Sequence, residues 1–217
     1  MSFHNNSSYD ETQGRELELP FIDTAFADPS ARFRASAVFV DINESTAMKA
    51  VWAPTHWGTV LAHFYKLCQG HASDPLHPMP HLKFLGDGLL AIFHSSDTTR
   101  AITFAIAIQE SLRQATSPKQ GQTTGEVDYS VSIGIANGEV VRFRGHDGGI
   151  DHVGPAIDLA ARFSSVANPK AILVERNAIF AAKMDDVSSP LGVSAFRQVC
   201  EYPGEVQQIR VKGRDDA

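Results

Sequence analysis

Apolar residues recur along the chain in two spacings, which divide it into strands and helices. The sequence predicts strands over residues 35–42, 83–85, 89–93, 128–136, 139–143, 171–174 and 207–211. It predicts helices over residues 45–69, 99–115, 155–166 and 178–183, with a break in the first at Pro54. This order of hairpins and crossover helices indicates an α+β fold, a largely antiparallel sheet with helices on one face.

Helix-capping and turn-forming residues define the ends of these elements more closely. Ser45 is predicted to cap the first helix, and Asn137-Gly138 is predicted to form a hairpin turn between two strands. Residues 1–33 are rich in Ser, Asn, Asp, Glu and Pro, so we expect a flexible N-terminal arm with a short helix near residues 21–26. Residues 34–217 are then expected to form one folded domain.

Composition narrows the class of protein. The chain has 217 residues, a formal net charge of -6 and two cysteines in no metal-like spacing. The acidic balance argues against a protein dedicated to nucleic-acid backbones. Neither a membrane-spanning run nor a secretory signal is present, and the unpaired thiols suit a reducing compartment, so we expect a cytoplasmic protein.

Two aspartates stand at predicted strand ends. Asp41 ends the apolar run Ala37-Val38-Phe39-Val40, and Asp87 sits in a Gly-Asp-Gly hairpin tip. Paired carboxylates of this kind can hold two divalent cations about 3.5–4 Å apart for phosphoryl transfer. The alternative is an ordinary helix cap and an ordinary turn.

Two further segments fit an anionic substrate. Residues Asn43, Glu44, Ser45 and Thr46 open a predicted helix, whose free N–H groups favour a phosphate. Asp158 and Arg162 share a helix face, and such an Arg could neutralise charge on a transferring phosphate. Taken separately, a plain helix cap and a surface ion pair explain these residues as well.

Four motifs occur in one order, and together they are specific: Phe39-x-Asp41-Ile42-x-x-Ser45-Thr46, Lys83-x-x-Gly86-Asp87-Gly88, Ile133-Gly134-Ile135-x-x-Gly138-Glu139-Val140 and Asp151-x-x-Gly154-x-x-x-Asp158-x-Ala160-Ala161-Arg162. Over residues 35–175 this set resembles the class III nucleotidyl cyclases. The resemblance implies a ferredoxin-like sandwich and an enzyme that converts a nucleoside triphosphate to a 3′,5′-cyclic nucleotide and pyrophosphate.

The resemblance also implies a homodimer with active sites at the subunit interface. Asp41, Asp87 and the carbonyl of Ile42 match the ligands of two Mg²⁺ or Mn²⁺ ions. In such dimers these ligands come from one subunit, and the residues that contact the base and the transition state come from the other.

Four other positions match functional residues of the family. Arg162 matches the Arg that stabilises the transition state, and Lys83 and Asp151 match the pair that reads the base. Lys212, in Val211-Lys212-Gly213, resembles the lysine that holds the triphosphate. Asp158 departs from the pattern, because the family usually has Asn there. A carboxylate cannot donate to the ribose unless it is protonated, and it can instead be held by the nearby Arg.

The residues alone do not determine which nucleobase the substrate carries. A Lys donor and an Asp acceptor suit adenine, uracil and cytosine equally, so pocket size must discriminate, with Phe84, Phe143 and Trp52 as candidate walls. The chain shows no sensor or transducer domain, and the altered Asp158 position resembles the pyrimidine cyclases of Pycsar anti-phage systems. We therefore expect cyclic UMP or cyclic CMP, made to activate a separate effector.

Three alternatives remain. The first is an adenylate cyclase that makes cyclic AMP. The second is a catalytically silent cyclase-like dimer that binds a nucleotide or a partner, which the presence of Asp41, Asp87 and Arg162 disfavours. The third is a metal-binding protein that uses three histidines of a Pro-rich loop, which lack carboxylate or Cys partners: His71, His77 and His81.

Overall fold

The structure is a computed structural model that describes residues 19–115, 129–169, 171–182, 193–199 and 206–211. Its helices are α1 (Ile22–Ala25), α2 (Ser45–Val51), α3 (Pro54–Ala72), α4 (Thr98–Ala115), α5 (Pro155–Val166) and α6 (Arg176–Ala181). Its strands are β1 (Arg32–Ile42), β2 (His81–Leu85), β3 (Gly88–His94), β4 (Val131–Arg144), β5 (Ile150–Val153), β6 (Ile172–Glu175), β7 (Val193–Val199) and β8 (Val206–Val211).

The chain divides into two compact units. The first contains Met1–Phe33 and Val140–Val153, and the second contains Arg34–Glu139 and Gly154–Ala217. The strand order of the sheet is β2-β3-β1-β4-β6-β8-β7, in which β4 and β6 pair in parallel and the pairs β1–β3, β2–β3, β6–β8 and β7–β8 are antiparallel. This arrangement confirms the predicted α+β class.

The main core of the second unit lies between one sheet face and helices α3 and α4. Phe64 of α3 and Ile102 of α4 are fully buried there against the strand residues Val40, Leu89 and Ile133. Full burial of such a side chain stabilises the fold by roughly 1.5–3 kcal/mol. Successive side chains point to opposite faces along each strand, so the neighbours of these core residues face the other side of the sheet.

Helix α5 packs on that opposite face, so the expectation of helices on one face only is wrong. Phe163 of α5 contacts Leu173 of β6 in a separate small cluster. Next to it, a Cβ at Gly134 would overlap the carbonyl of Ala160 and lie 2.8 Å from the Cβ of Phe163. Glycine on β4 therefore lets the helix backbone approach the sheet.

The first unit has a small core of its own. Strand β5 pairs with the end of β4 in antiparallel register, with Phe143 opposite Asp151. Ala25 of α1 and Ala31 are buried with Val141 and Phe143. The short helix expected near residues 21–26 is therefore confirmed as α1, while the boundary predicted between residues 33 and 34 stays a prediction.

Most predicted elements are confirmed, and the predicted hairpin turn is wrong. Asn137-Gly138 is not a hairpin turn, because β4 runs through it without a break. The Asn137 amide is buried and donates to Ser36 Oγ at 3.0 Å, and its backbone N–H donates to the Glu175 carboxylate at 2.9 Å. These tertiary bonds outweigh the turn preference of the dipeptide. The sequence predicted neither β5 nor β7.

None of the described helices combines the length and the apolar character that a membrane crossing requires.

Candidate active site

Asp41 and Asp87 are brought together by strand pairing. Asp41, near the end of β1, is paired with Gly88, and β2 and β3 are joined by the two-residue loop Gly86-Asp87. Gly86 has a φ of 76°, the only positive φ in this loop, as in the tight hairpin turns that favour glycine first. The Ile42 N–H donates to the Asp87 carbonyl at 3.1 Å, which ties β1 to the loop. The structure therefore places both carboxylates at one sheet edge.

The two carboxylates have opposite electrostatic character. Burial raises the pKa of Asp41, and the negative charge of Asp87 raises it further. Burial also acts to raise the pKa of Asp87, but hydrogen bonds from Lys49 and Ser45 and the charge of Lys49 outweigh it, so that this pKa is lowered. Asp41 is thus a carboxylate without enough counter-charge, whereas Asp87 is well compensated.

Lys49 is a residue of this site that the sequence analysis missed. Its Nζ lies 2.7 Å from Asp87 Oδ2 and 5.2 Å from the centre of the Trp57 ring. Ser45, four residues earlier in α2, also donates its hydroxyl to Asp87 Oδ2. A spacing of four residues places Lys49 and Ser45 on one helix face, and this was the only local signal.

Tyr65 of α3 was also missed. Its hydroxyl donates to the Gly86 carbonyl at 2.6 Å, and its ring centre lies 4.0 Å from that of Phe84 on β2. Helix α3 therefore holds the loop that carries Asp87 in place through Tyr65.

The segment from Asn43 to Thr46 is built differently from the prediction. The cap position of α2 belongs to Glu44, which has a φ of 57°, and Ser45 is the first helical residue, so the predicted cap role of Ser45 is wrong. Asn43 donates its N–H to the Ser130 carbonyl at 2.9 Å and accepts a hydrogen bond from Ser132 Oγ. These bonds fix the start of the segment, and a phosphate contact of Asn43, Glu44, Ser45 or Thr46 stays a prediction.

Lys83 lies on the same sheet face as Asp41. It is half-buried on β2 and paired with Leu90, which is paired in turn with Phe39 of β1. Because residues two apart share a face, Phe39 and Asp41 point to the same side. Phe84 points to the other side and packs on Tyr65, and Phe143 is 5% exposed in the core of the first unit. The structure therefore offers Phe39 as an aromatic side chain on the face of Lys83, and a pocket wall formed by Phe84, Phe143 or Trp52 stays a prediction.

The remaining predicted residues lie on other elements, Asp151 in the first unit and Asp158 and Arg162 in the second. Asp151 is half-buried on β5, and its carboxylate accepts a hydrogen bond from the His152 N–H at 2.8 Å. Asp158 and Arg162 are both exposed on α5, and the structure gives no ion pair between these two described side chains. Lys212 lies outside the described residues.

The donor set at the sheet edge fits a hard divalent cation. Mg²⁺ and Mn²⁺ favour carboxylate and carbonyl oxygens, which Asp41, Asp87 and Ile42 supply. Burial and the charge of Asp87 raise the pKa of Asp41, and a bound cation would stabilise the ionised form of this carboxyl. The histidine alternative finds no support, since His71 bonds Ser111 Oγ at 2.9 Å and no group of three potential His, Cys, Asp or Glu ligands occurs among the described residues.

The fold is that of solved nucleotide cyclase domains. The structure is similar to that of the guanylyl cyclase Cya2, with a TM-score of 0.64 and 21% identity over 85% of this chain and 95% of the other. It is also similar to the non-canonical dimeric guanylyl cyclase domain of the RhoGC fusion protein from the aquatic fungus Blastocladiella emersonii, with a TM-score of 0.64 and 14% identity over 82% of this chain and 94% of that domain.

The sequence identifies the family. Residues 31–213 match the family model of the adenylate and guanylate cyclase catalytic domain, and the chain belongs to this family of nucleotidyl cyclase enzymes. A curated adenylate cyclase of Anabaena cylindrica is 28% identical over 191 residues. The match covers 85% of this chain and 35% of the relative, so the chain spans about a third of the length of that protein.

Proposed function

We propose that this chain converts a nucleoside triphosphate to a 3′,5′-cyclic nucleoside monophosphate and pyrophosphate. The observation that carries the proposal is the placement of Asp41 and Asp87 side by side at one sheet edge, in a chain of the cyclase family. In this reaction the 3′ oxygen forms a bond to the α-phosphorus and the bond from that phosphorus to the bridging oxygen breaks. The hydroxyl proton passes to water and pyrophosphate leaves.

Different residues would bind the metal ions, position the site and stabilise the charge of the phosphate. Asp41, Asp87 and the Ile42 carbonyl would hold two Mg²⁺ or Mn²⁺ ions, which when bound acidify the 3′ hydroxyl and neutralise phosphate charge. Asn43 fixes the segment beside them through its bonds to β4 and its neighbour Ser130. Arg162 supplies a guanidinium for charge that builds on the transferring phosphate.

We extend the proposal to a homodimer with interfacial sites. Arg162 is exposed on α5, and an exposed catalytic Arg requires another surface to hold the substrate against it. The structurally similar fungal domain is described as dimeric in one structure and as monomeric in another. The test mixes inactive Asp87→Ala and Arg162→Ala chains, which should regain activity because each heterodimer holds one intact site. No recovery after demonstrated subunit exchange contradicts shared sites.

For the base, we propose a pyrimidine triphosphate, UTP before CTP, with a cyclic product that a separate anti-phage effector reads. Asp158 in place of the usual Asn supports an altered ribose contact, and the Lys83 and Asp151 pair accommodates uracil. Phe39, half-buried on the face of Lys83, is available to narrow the pocket. The alternative is ATP and cyclic AMP, which the relative named as an adenylate cyclase favours.

One experiment separates these proposals. The purified chain is incubated with each of the four nucleoside triphosphates and Mg²⁺ or Mn²⁺, and the product is identified by mass. Dominant cyclic UMP or cyclic CMP supports the pyrimidine proposal, and dominant cyclic AMP replaces it with the adenylate alternative. Nucleotide binding without any product from the dimer would support the silent alternative instead. Asp41→Ala and Asp87→Ala serve as inactive controls.

A further inference from the structure

The ammonium of Lys49 is held over the proposed metal site by two groups from two other elements. It lies 2.7 Å from Asp87 Oδ2, on the loop between β2 and β3, and 5.2 Å from the ring centre of Trp57 on α3. An exposed lysine is usually free in solvent, and this side chain is 43% exposed. Its position is therefore set by its partners rather than by lack of space.

The same carboxylate oxygen has two competing uses. Asp87 Oδ2 already accepts hydrogen bonds from Lys49 and from Ser45. An oxygen that accepts two donors has no lone pair well placed for a cation. A cation that takes this oxygen must therefore displace one of the two donors, and its positive charge repels the ammonium of Lys49 but not the hydroxyl of Ser45.

We infer that Lys49 is a built-in counter-ion of the metal site, which lowers the affinity of the free enzyme for divalent cations and yields its place when they bind. This inference rests on the proposed function, because it uses the same two-carboxylate site. The displaced ammonium can keep its contact with Trp57, because the face of the aromatic ring attracts a cation. Lys49 thus sets the concentration of divalent cation at which the site is filled.

The test measures binding of Mn²⁺ to the nucleotide-free protein by electron paramagnetic resonance. Lys49→Met keeps the apolar stem and removes the charge. We expect its Mn²⁺ dissociation constant to fall roughly five- to twenty-fold, the range for removing one positive charge several ångströms from a dication in partly screened surroundings. Lys49→Arg keeps the charge and should stay close to the wild type.

A matched control comes from the next helix. Lys66 is exposed on α3, and Lys66→Met changes the net charge of the protein by the same amount. If Lys66→Met tightens Mn²⁺ binding as much as Lys49→Met, the effect is one of overall charge and the inference is wrong. It is equally wrong if Lys49→Met binds Mn²⁺ as the wild type does, or more weakly.

Failure of the proposed function gives a different result. If the wild type and Lys49→Met both bind no Mn²⁺ at millimolar concentration, the metal site itself is refuted, and the counter-ion inference falls with it. A wild type that binds Mn²⁺ and loses this binding in Asp87→Ala, together with unchanged affinity in Lys49→Met, refutes only the role of Lys49.

Discussion

The two site carboxylates should change the stability of the metal-free protein in opposite directions. Burial and the charge of Asp87 raise the pKa of Asp41, so its ionised form costs free energy at neutral pH. Hydrogen bonds from Lys49 and Ser45 lower the pKa of Asp87 against the effect of burial, so its ionised form stabilises the fold. Asp41→Asn should therefore stabilise the metal-free protein, and Asp87→Asn should destabilise it.

The structure sets the size of both effects. Asp41 is half-buried, and relief of its charge should contribute about 0.5–1.5 kcal/mol. Lys49 is 43% exposed and Asp87 26% exposed, so solvent screening limits the loss of their ion pair to about 0.5–1 kcal/mol. In a chain of this size 1 kcal/mol moves the melting temperature by about 2–4 °C. The two variants should thus melt several degrees apart, on either side of the wild type.

The pH dependence has opposite signs as well. For Asp41 the folded pKa lies above its ordinary value of 3.8, so the gain of Asp41→Asn is full at neutral pH and fades as the pH falls through the folded pKa. For Asp87 the folded pKa lies below 3.8, so the loss in Asp87→Asn persists until the pH falls through the ordinary value and then the folded one. Acidification towards pH 4 should therefore remove the first effect before the second.

Urea unfolding in the presence of a chelator measures these free energies. Addition of Mn²⁺ should then move the wild type above Asp41→Asn and leave Asp87→Asn the least stable, because the wild type gains stability from a ligand that binds only the folded state, and the variants gain little. A shift of the same sign in both variants without metal would refute the electrostatic account of the site.

Three further substitutions test the surrounding structure. Gly134→Ala should cost about 1–3 kcal/mol in urea unfolding, because a Cβ there overlaps α5, whereas the control Gly58→Ala in α3 meets nothing within 4 Å and should gain about 0.5–1 kcal/mol. Glu44→Gly should stabilise the fold by up to about 1 kcal/mol by relieving a φ of 57°, while Glu44→Ala should not. Tyr65→Phe removes the hydrogen bond to Gly86, so its free energy of unfolding should fall by about 0.5–1.5 kcal/mol and its Mn²⁺ binding should weaken severalfold. Unchanged Mn²⁺ binding would show that Tyr65 does not hold the loop in its metal-binding position.

Local chemistry explains what the sequence could predict. The Gly-Asp-Gly tip fixes a two-residue hairpin loop, and this sets the register that brings Asp87 next to Asp41. Helix α5 was predicted with its observed ends, because Pro155 occupies the first helical position, where its missing N–H costs nothing. Both features depend on residues that are neighbours in the chain.

Long-range contacts explain what the sequence could not predict. Asn137-Gly138 has the strongest local turn signal of β4, yet bonds of Asn137 to Ser36 and Glu175 keep it within a strand. Lys49 reaches a carboxylate 38 residues away, and no pattern within α2 shows where the hairpin tip will lie. A propensity cannot report a partner that only the folded chain supplies.

The charges of the site suggest why these long-range contacts matter for function. Burial raises the pKa of Asp41, and repulsion between two ionised carboxylates at one sheet edge raises it further. Lys49 makes its ion pair with Asp87, and its charge opposes the shift of Asp41 without reversing it, so the metal-free site keeps one carboxylate that is not fully compensated. The site therefore retains an attraction for a cation while its folded state is stabilised by the other carboxylate. A second lysine on Asp41 would stabilise the fold further and would oppose metal binding, so a single internal counter-ion is the balance that the proposed metal site requires.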